Sequence, residues 1–195
     1  MYRKYSSGII EVVTGPMFSG KTEELIKRIT VLSYSEIPTL IVKPVIDNRF
    51  SHNEIFSRNG RSIKCYSVDT VDDIKELFRQ QNYKALVIDE AQFFDESLID
   101  FVEELAVKGI RVIACGLDQD FRRKPFKIIA NLMAIADQVT KLKAVCLSCK
   151  NAASCSFRTS LSQETIEIGD TNKYEARCRL CHQNGLNHQK NKKIS

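Results

Sequence analysis

Short apolar runs alternate with amphipathic stretches along most of this chain. The run GIIEVVT at 8–14 ends at Gly15, and Leu25, Ile26, Ile29 and Leu32 then recur at helical spacing, which predicts strand, glycine loop and helix in that order. Three further runs, TLIVKPV at 39–45, ALVID at 85–89 and IRVIACG at 110–116, are β-branched and nearly continuous, as strands buried on both faces should be. Val71, Ile74, Leu77 and Phe78 predict one intervening helix, and Leu98, Phe101, Val102 and Leu105 another. Beyond Phe126, the spacing of Ile129, Leu132, Met133 and Ala136 predicts one more helix, followed by a last strand near QVTKLKAV at 138–145. The alternation implies an α/β fold with a parallel sheet flanked by helices. Residues 47–61, DNRFSHNEIFSRNGR, read as a long polar connection or a hairpin.

Past Val145 the texture changes to cysteines, serines and threonines in short polar segments. Three units are expected: a nucleotide-binding α/β domain at 1–145, a small cysteine-bearing domain at 146–182, and a basic, disordered tail at 183–195. The tail's Lys190, Lys192 and Lys193 carry much of the formal net charge of +5, and they are a weak sign of nucleic-acid binding. No apolar run reaches the ~18 residues of a membrane span, and MYRKYSSGIIEVV lacks an apolar stretch of signal-peptide length. The expectation is a cytoplasmic protein with no membrane partner, in a reducing compartment where clustered thiols hold metal.

GPMFSGKT, residues 15–22, has the Gly-x-x-x-x-Gly-Lys-Thr spacing of a phosphate-cradling loop. Gly15 and Gly20 let the backbone wrap phosphate oxygens across Pro16, Met17, Phe18 and Ser19. Lys21 offers a positive charge, and Thr22 can reach a magnesium ion. In ALVIDEAQFF at 85–94, an apolar strand ends in adjacent acids, which places Asp89 on the magnesium side and gives Glu90 the role of proton acceptor. Gln92, Phe93 and Phe94 either line an acceptor pocket or pack in the core. GLDQDFRRKPF at 116–126 follows the fourth run and should face the same crevice. Phe121 either stacks on a ring, the favoured reading, or packs in the core, whereas Arg122, Arg123 and Lys124 either screen phosphate or are solvated.

Cys146-x-x-Cys149 and Cys178-x-x-Cys181 present four thiolates to one tetrahedral zinc, a closed and therefore structural site. His182 competes with Cys181 for the fourth position, and Cys65, Cys115 and Cys155 are left as reduced thiols. The 28 residues between the knuckles form either a lid or a module for partners.

Taken in order, GPMFSGKT, the DNR of Asp47, Asn48 and Arg49, IDEAQFF, GLDQDFRRKPF, CLSC and NKYEARCRLC resemble the thymidine kinases of the small cytosolic type, which carry a zinc-anchored lasso loop. The likeness runs from about residue 8 to 182. It implies a phosphate-loop (RecA-like) sheet with a small C-terminal zinc-binding lasso, and transfer of the ATP γ-phosphate to the 5′-hydroxyl of thymidine in nucleotide salvage. By the same resemblance Glu90 is the base, Lys21 and Thr22 handle phosphate and Mg2+, and Asp89 stands in the metal's outer shell. Asp47, Asn48 and Arg49 lie near phosphate and sugar, with Asn48 in place of the family's usual Thr. Met17, Phe93, Phe121 and Tyr174 line the nucleoside pocket, and the backbone of Thr165, Ile166, Glu167, Ile168 and Gly169 meets the thymine edge. The family also implies a homotetramer and feedback inhibition by thymidine triphosphate. A pocket of this kind should accept deoxyuridine, since one missing methyl costs only ~1–3 kcal/mol. The rival reading is a nucleic-acid-stimulated phosphate-loop ATPase with a zinc knuckle, because Asp89-Glu90-Ala91-Gln92 also resembles the acidic box of helicases.

Overall fold

β-Branched runs of four to six residues build most of a central parallel sheet, and amphipathic helices cover it on both sides. The computed structural model describes residues 8–47, 53–56, 60–160 and 173–191. Asn48, Arg49 and residues 165–169, expected at the substrate, lie outside them. In chain order the elements are β1 (Ile9–Thr14), α1 (Lys21–Tyr34), β2 (Thr39–Pro44), β3 (Glu54–Phe56), β4 (Ser62–Lys64), β5 (Tyr66–Val68), α2 (Val71–Arg79), β6 (Ala85–Ile88), α3 (Ser97–Val107), β7 (Arg111–Gly116), α4 (Lys127–Ile135), β8 (Gln138–Lys141), β9 (Ala144–Val145), β10 (Ala152–Ala153), β11 (Cys155–Arg158), β12 (Tyr174–Arg177) and α5 (Arg179–Asn191).

The sheet runs β5-β2-β6-β7-β1-β8, and each neighbouring pair is parallel. From β1 the chain crosses one way to β2, whereas the steps from β6 to β7 and from β7 to β8 run the other way. Right-handed crossovers then require α1 on one face and α3 and α4 on the opposite one. The packing agrees. Leu25, Ile29 and Leu32 of α1 meet Val13, Val87 and Ile113, whereas Val71 and Ile74 of α2, Leu98 and Val102 of α3, and Ile129 and Leu132 of α4 meet Val12, Val42, Ile88 and Val112. Because the loops after β1 and β7 leave toward opposite faces from adjacent strands, a crevice opens between them at their carboxyl ends.

Glu11, buried in β1, is the charged centre of the sheet. Its carboxylate accepts from Arg28 of α1 at 2.7 Å and from Arg111 of β7 at 2.6 Å. Arg28 reaches Thr140 of β8 at 2.7 Å and Glu24 at 3.0 Å, so the helix that follows the phosphate loop is tied to three strands.

The structure departs from the sequence expectations in several places. The run 138–145 is not one strand, since β8 closes the sheet while β9 turns away to pair antiparallel with β10. Tyr66–Val68 adds an unforeseen edge strand to β2. Of the two readings of 47–61 the hairpin is the one met, since β3 pairs antiparallel with β4. The tail, expected to be disordered from Gln183, is helical through Asn191. His182, Gly185 and Leu186 fall on one helical face, and Gly185 lies so close to Phe157 and Arg177 that a Cβ would sit 2.6 Å from the ring. That contact between helix and hairpin is available only to glycine.

Candidate functional site

The loop from Gly15 to Gly20 joins β1 to α1. Gly15 has φ +147°, and a Cβ there would lie 2.6 Å from the Leu142 carbonyl, so a side chain is excluded. Gly20 caps α1 at φ +81° with no side-chain hydrogen bond, which leaves the first amides of the helix directed into the loop. Lys21 Nζ donates to the Pro16 carbonyl at 2.9 Å, and Ser19 Oγ donates to the same oxygen at 2.8 Å. Thr22 stands in the first turn of α1.

Two strands away, β6 ends at Ile88 and delivers Asp89 and Glu90, roughly 10 Å across the sheet from β1. Asp89 is buried. Desolvation, reinforced by the charges of Glu90 and Asp47, pushes its carboxyl up to about 7, so the three acids share one electrostatic site. Cys115 of β7 also bonds to this carboxyl, and burial raises its thiol well above the ordinary range. Glu90 adopts left-handed backbone geometry at φ 49°, uncommon for a non-glycine residue, and its amide donates to Asp89 Oδ1 at 2.9 Å. Gln92 holds the Glu90 side chain. Its Nε2 donates to Glu90 Oε2 at 2.6 Å, and its Oε1 accepts from the Leu117 amide at 3.1 Å. A Cβ at Gly116 would lie 2.4 Å from that Oε1, so the glycine before the loop makes room for the bridge.

Phe94 packs among α2, α3 and α4, which resolves its two readings in favour of core, while Phe93 is half-buried in a short 3-10 turn at Ala91–Phe93. Asp47 ends up 4.0 Å from the ammonium of the buried Lys43, near Asp89.

The cysteine module folds against this crevice. A β9–β10 hairpin carries Cys146 and Cys149, and β12 leads into Cys178 and Cys181 at the start of α5. The four Sγ atoms lie within 4.8 Å of one another, with Cys149 and Cys178 at 3.6 Å. Zinc–thiolate bonds of about 2.3 Å put tetrahedral sulfurs about 3.8 Å apart, so this donor set fits zinc. Burial opposes ionisation of Cys146, yet hydrogen bonds from the backbones of Cys149, Cys178 and Ser148 bring its thiol down to about 6. His182 is not part of the cluster. Its ring turns away, and Nε2 meets the Phe121 carbonyl at 2.8 Å.

Three contacts that the sequence did not reveal join module to crevice. Ser156 Oγ accepts from the Met17 amide at 3.0 Å, and Phe18 of the phosphate loop packs against Ala144, Cys146 and Ala176. Arg158, 2% exposed, lays its guanidinium 3.8 Å from the Phe121 ring centroid and donates to the Tyr174 hydroxyl at 2.7 Å. Phe121 and Tyr174 are thereby brought together from loop and lasso. Arg122 also lies 4.6 Å from the Phe121 ring, and its amide and that of Lys124 close the turn on Asp120.

A phosphate loop, paired acids at a neighbouring strand end and a four-cysteine module over the same crevice define a phosphate-loop nucleotide-binding α/β protein with a metal-knuckle appendage. The family model for thymidine kinase matches residues 8–182. The chain is 57% identical over 182 residues to a thymidine kinase of Mesomycoplasma hyopneumoniae (strain 7448), covering 93% of this chain and 99% of the relative. It is 57% identical over 185 residues to that of Mycoplasma mobile (95% and 92% covered) and 49% identical over 194 residues to that of Metamycoplasma arthritidis (100% of both). This chain belongs to the thymidine kinase family.

Proposed function

We propose that the chain transfers the γ-phosphate of ATP to the 5′-hydroxyl of thymidine, with Glu90 as general base. The observation that carries this reading is Glu90, held by Gln92 beside Asp89 at the crevice of the phosphate loop, in a chain matched to the thymidine kinase family over nearly its whole length. Glu90 takes the hydroxyl proton as O5′ forms its bond to the γ-phosphorus. The bond from that phosphorus to the β–γ bridging oxygen breaks, and ADP departs. Lys21 and the amides of the Gly15 to Gly20 loop, other than Pro16, which has no N–H, and Met17, which bonds to Ser156, carry the phosphate charge, with Asp47, Asn48 and Arg49 beside them. Thr22 and Asp89 would hold Mg2+, which supplies charge neutralisation on the phosphates when bound. Its presence would draw Asp89 into the ionised form.

Met17, Phe93, Phe121, Tyr174 and the backbone of residues 165–169 form the nucleoside pocket in this reading, and deoxyuridine is accepted as well. Cys146, Cys149, Cys178 and Cys181 hold a structural zinc that fixes the base of the lasso. A cytoplasmic homotetramer inhibited by thymidine triphosphate is the accompanying expectation. No helix among the described residues is long and apolar enough to cross a membrane. Family membership favours this reading over a nucleic-acid-stimulated ATPase.

The test is ATP turnover by purified protein with thymidine, deoxyuridine, deoxycytidine, single-stranded DNA or no acceptor. Thymidine monophosphate formed only with thymidine, and deoxyuridine monophosphate with deoxyuridine, is the expected result. Stimulation by DNA alone would overturn it.

A further inference from the structure

His182 adjoins a zinc-ligand cysteine, yet its ring serves another place. It is fully buried, with its edge against Phe157 at 5.5 Å between centroids and 89° between planes. Its backbone amide continues the cysteine turn by donating to the Cys178 carbonyl at 2.9 Å. A carbonyl oxygen can only accept, so Nε2 carries the hydrogen in its 2.8 Å bond to Phe121. Phe121 belongs to a tight turn closed by Asp120, which accepts from the amides of Arg122 and Lys124 at 2.9 and 2.8 Å. Its ring is covered by Arg158, and Arg158 is bonded to Tyr174.

We infer that His182 is a positioning residue for the nucleoside base: it fixes the Phe121 turn to the four-cysteine cluster, so that the cluster's geometry sets where the Phe121 ring stands. The chain of contact is short. Cys181 is followed directly by His182, His182 holds the Phe121 carbonyl, and the Phe121 ring abuts Arg158, whose partner Tyr174 is in the strand leading to Cys178. Two routes thus run from the cysteines to one aromatic pair, and His182 closes the circuit. A main-chain carbonyl is the better handle for this purpose, because holding it fixes the backbone without engaging the ring, whose place is set by the contact with Arg158.

The inference rests on Phe121 bordering the base, as proposed above, and its test separates the two claims. His182→Phe keeps a ring against Phe157 and removes the donor. His182→Gln replaces the donor near the position of Nε2, whereas His182→Asn places its amide near the position of Nδ1. With zinc content measured at one per chain for each variant, His182→Phe and His182→Asn should raise the thymidine KM ~10-fold, the scale of a buried carbonyl left unsatisfied. They should leave the ATP KM within ~2-fold and kcat within ~3-fold, and His182→Gln should recover most of the loss. Amide hydrogen exchange at Arg122 and Lys124, measured without any nucleoside, should be faster in the Phe and Asn variants and near wild type in the Gln variant. Wild-type thymidine KM in His182→Phe, or equal behaviour of the Gln and Asn variants, would overturn the inference. Failure of the wild-type protein to phosphorylate thymidine would instead remove the functional reading, while the exchange comparison would still decide whether His182 holds the turn.

Discussion

Gln92 donates to Glu90 at 2.6 Å while accepting from the Leu117 amide at 3.1 Å, so one side-chain amide spans the ends of two adjacent strands. The Leu117 N–H, a fixed donor, holds Oε1 on its side and so turns Nε2 toward the carboxylate. A donor held there limits the rotation of the Glu90 carboxylate. Glu90→Gln should therefore lower kcat by at least ~100-fold while ATP affinity stays within ~2-fold, and Gln92→Leu should lower kcat by a smaller ~10-fold. Steady-state kinetics together with calorimetric ATP binding checks both, and undiminished turnover in Glu90→Gln would remove Glu90 as the base.

Asp89 makes the stability of the protein depend on pH. Burial first, then Glu90 and Asp47, raise its carboxyl from the ordinary 3.8 to about 7. Between these values the folded protein holds a proton that the unfolded chain has released, so stability falls as pH rises through that window. Asp89→Asn should flatten this slope and raise Tm at pH 8 above wild type, with magnesium-dependent turnover lost. Thermal melts from pH 4 to 8 without nucleotide measure it, and an unchanged slope would contradict the assignment.

The clustered thiols lead to a metal prediction. Cys178→Ser, or treatment with a strong chelator, should release zinc and expose residues 146–181 to proteolysis, with thymidine binding weakened more than ATP binding. Metal analysis and limited proteolysis read the outcome. A protease pattern identical to that of untreated protein would argue against a clamp.

Glu11 offers a test of the scaffold. Its replacement by Ala leaves the guanidiniums of Arg28 and Arg111 without their shared acceptor inside the sheet, and this should cost ~3–5 kcal/mol in urea unfolding. A loss below ~1 kcal/mol would mean that water or another group takes over.

Much of the sheet was legible because both of its faces are covered, which makes 8–14, 39–45, 85–89 and 110–116 mostly apolar, broken by single charged residues such as Glu11, Lys43 and Arg111. The three-residue β5 was not, since Tyr66 is exposed and the strand is too short to show a period. β9 was misassigned because Ala144 and Val145 continue an apolar rhythm whose hydrogen bonds go elsewhere. Helix α5 was hidden for another reason. Its inward face carries His182, Gly185 and Gln189 besides Leu186, and glycine is the residue that helical patterns discourage. The paired acids and the two cysteine knuckles could be read from spacing. Gln92 carried a weaker signal, two residues beyond Glu90. Arg158 carried none, and His182 was read only as a rival zinc ligand, because their partners are 16 and 61 residues distant.

The single hydrogen bond from the Met17 amide to Ser156 has a pharmacological consequence. It joins the segment proposed to hold ATP to the root of the lasso proposed to cover the nucleoside. A small molecule that wedged this junction apart would disturb both at once, and its inhibition would be mixed rather than competitive against either ATP or thymidine. Compounds lodged in the nucleoside cavity alone would show the opposite signature, so the kinetic pattern by itself would tell a screening campaign which of the two locations a hit had found.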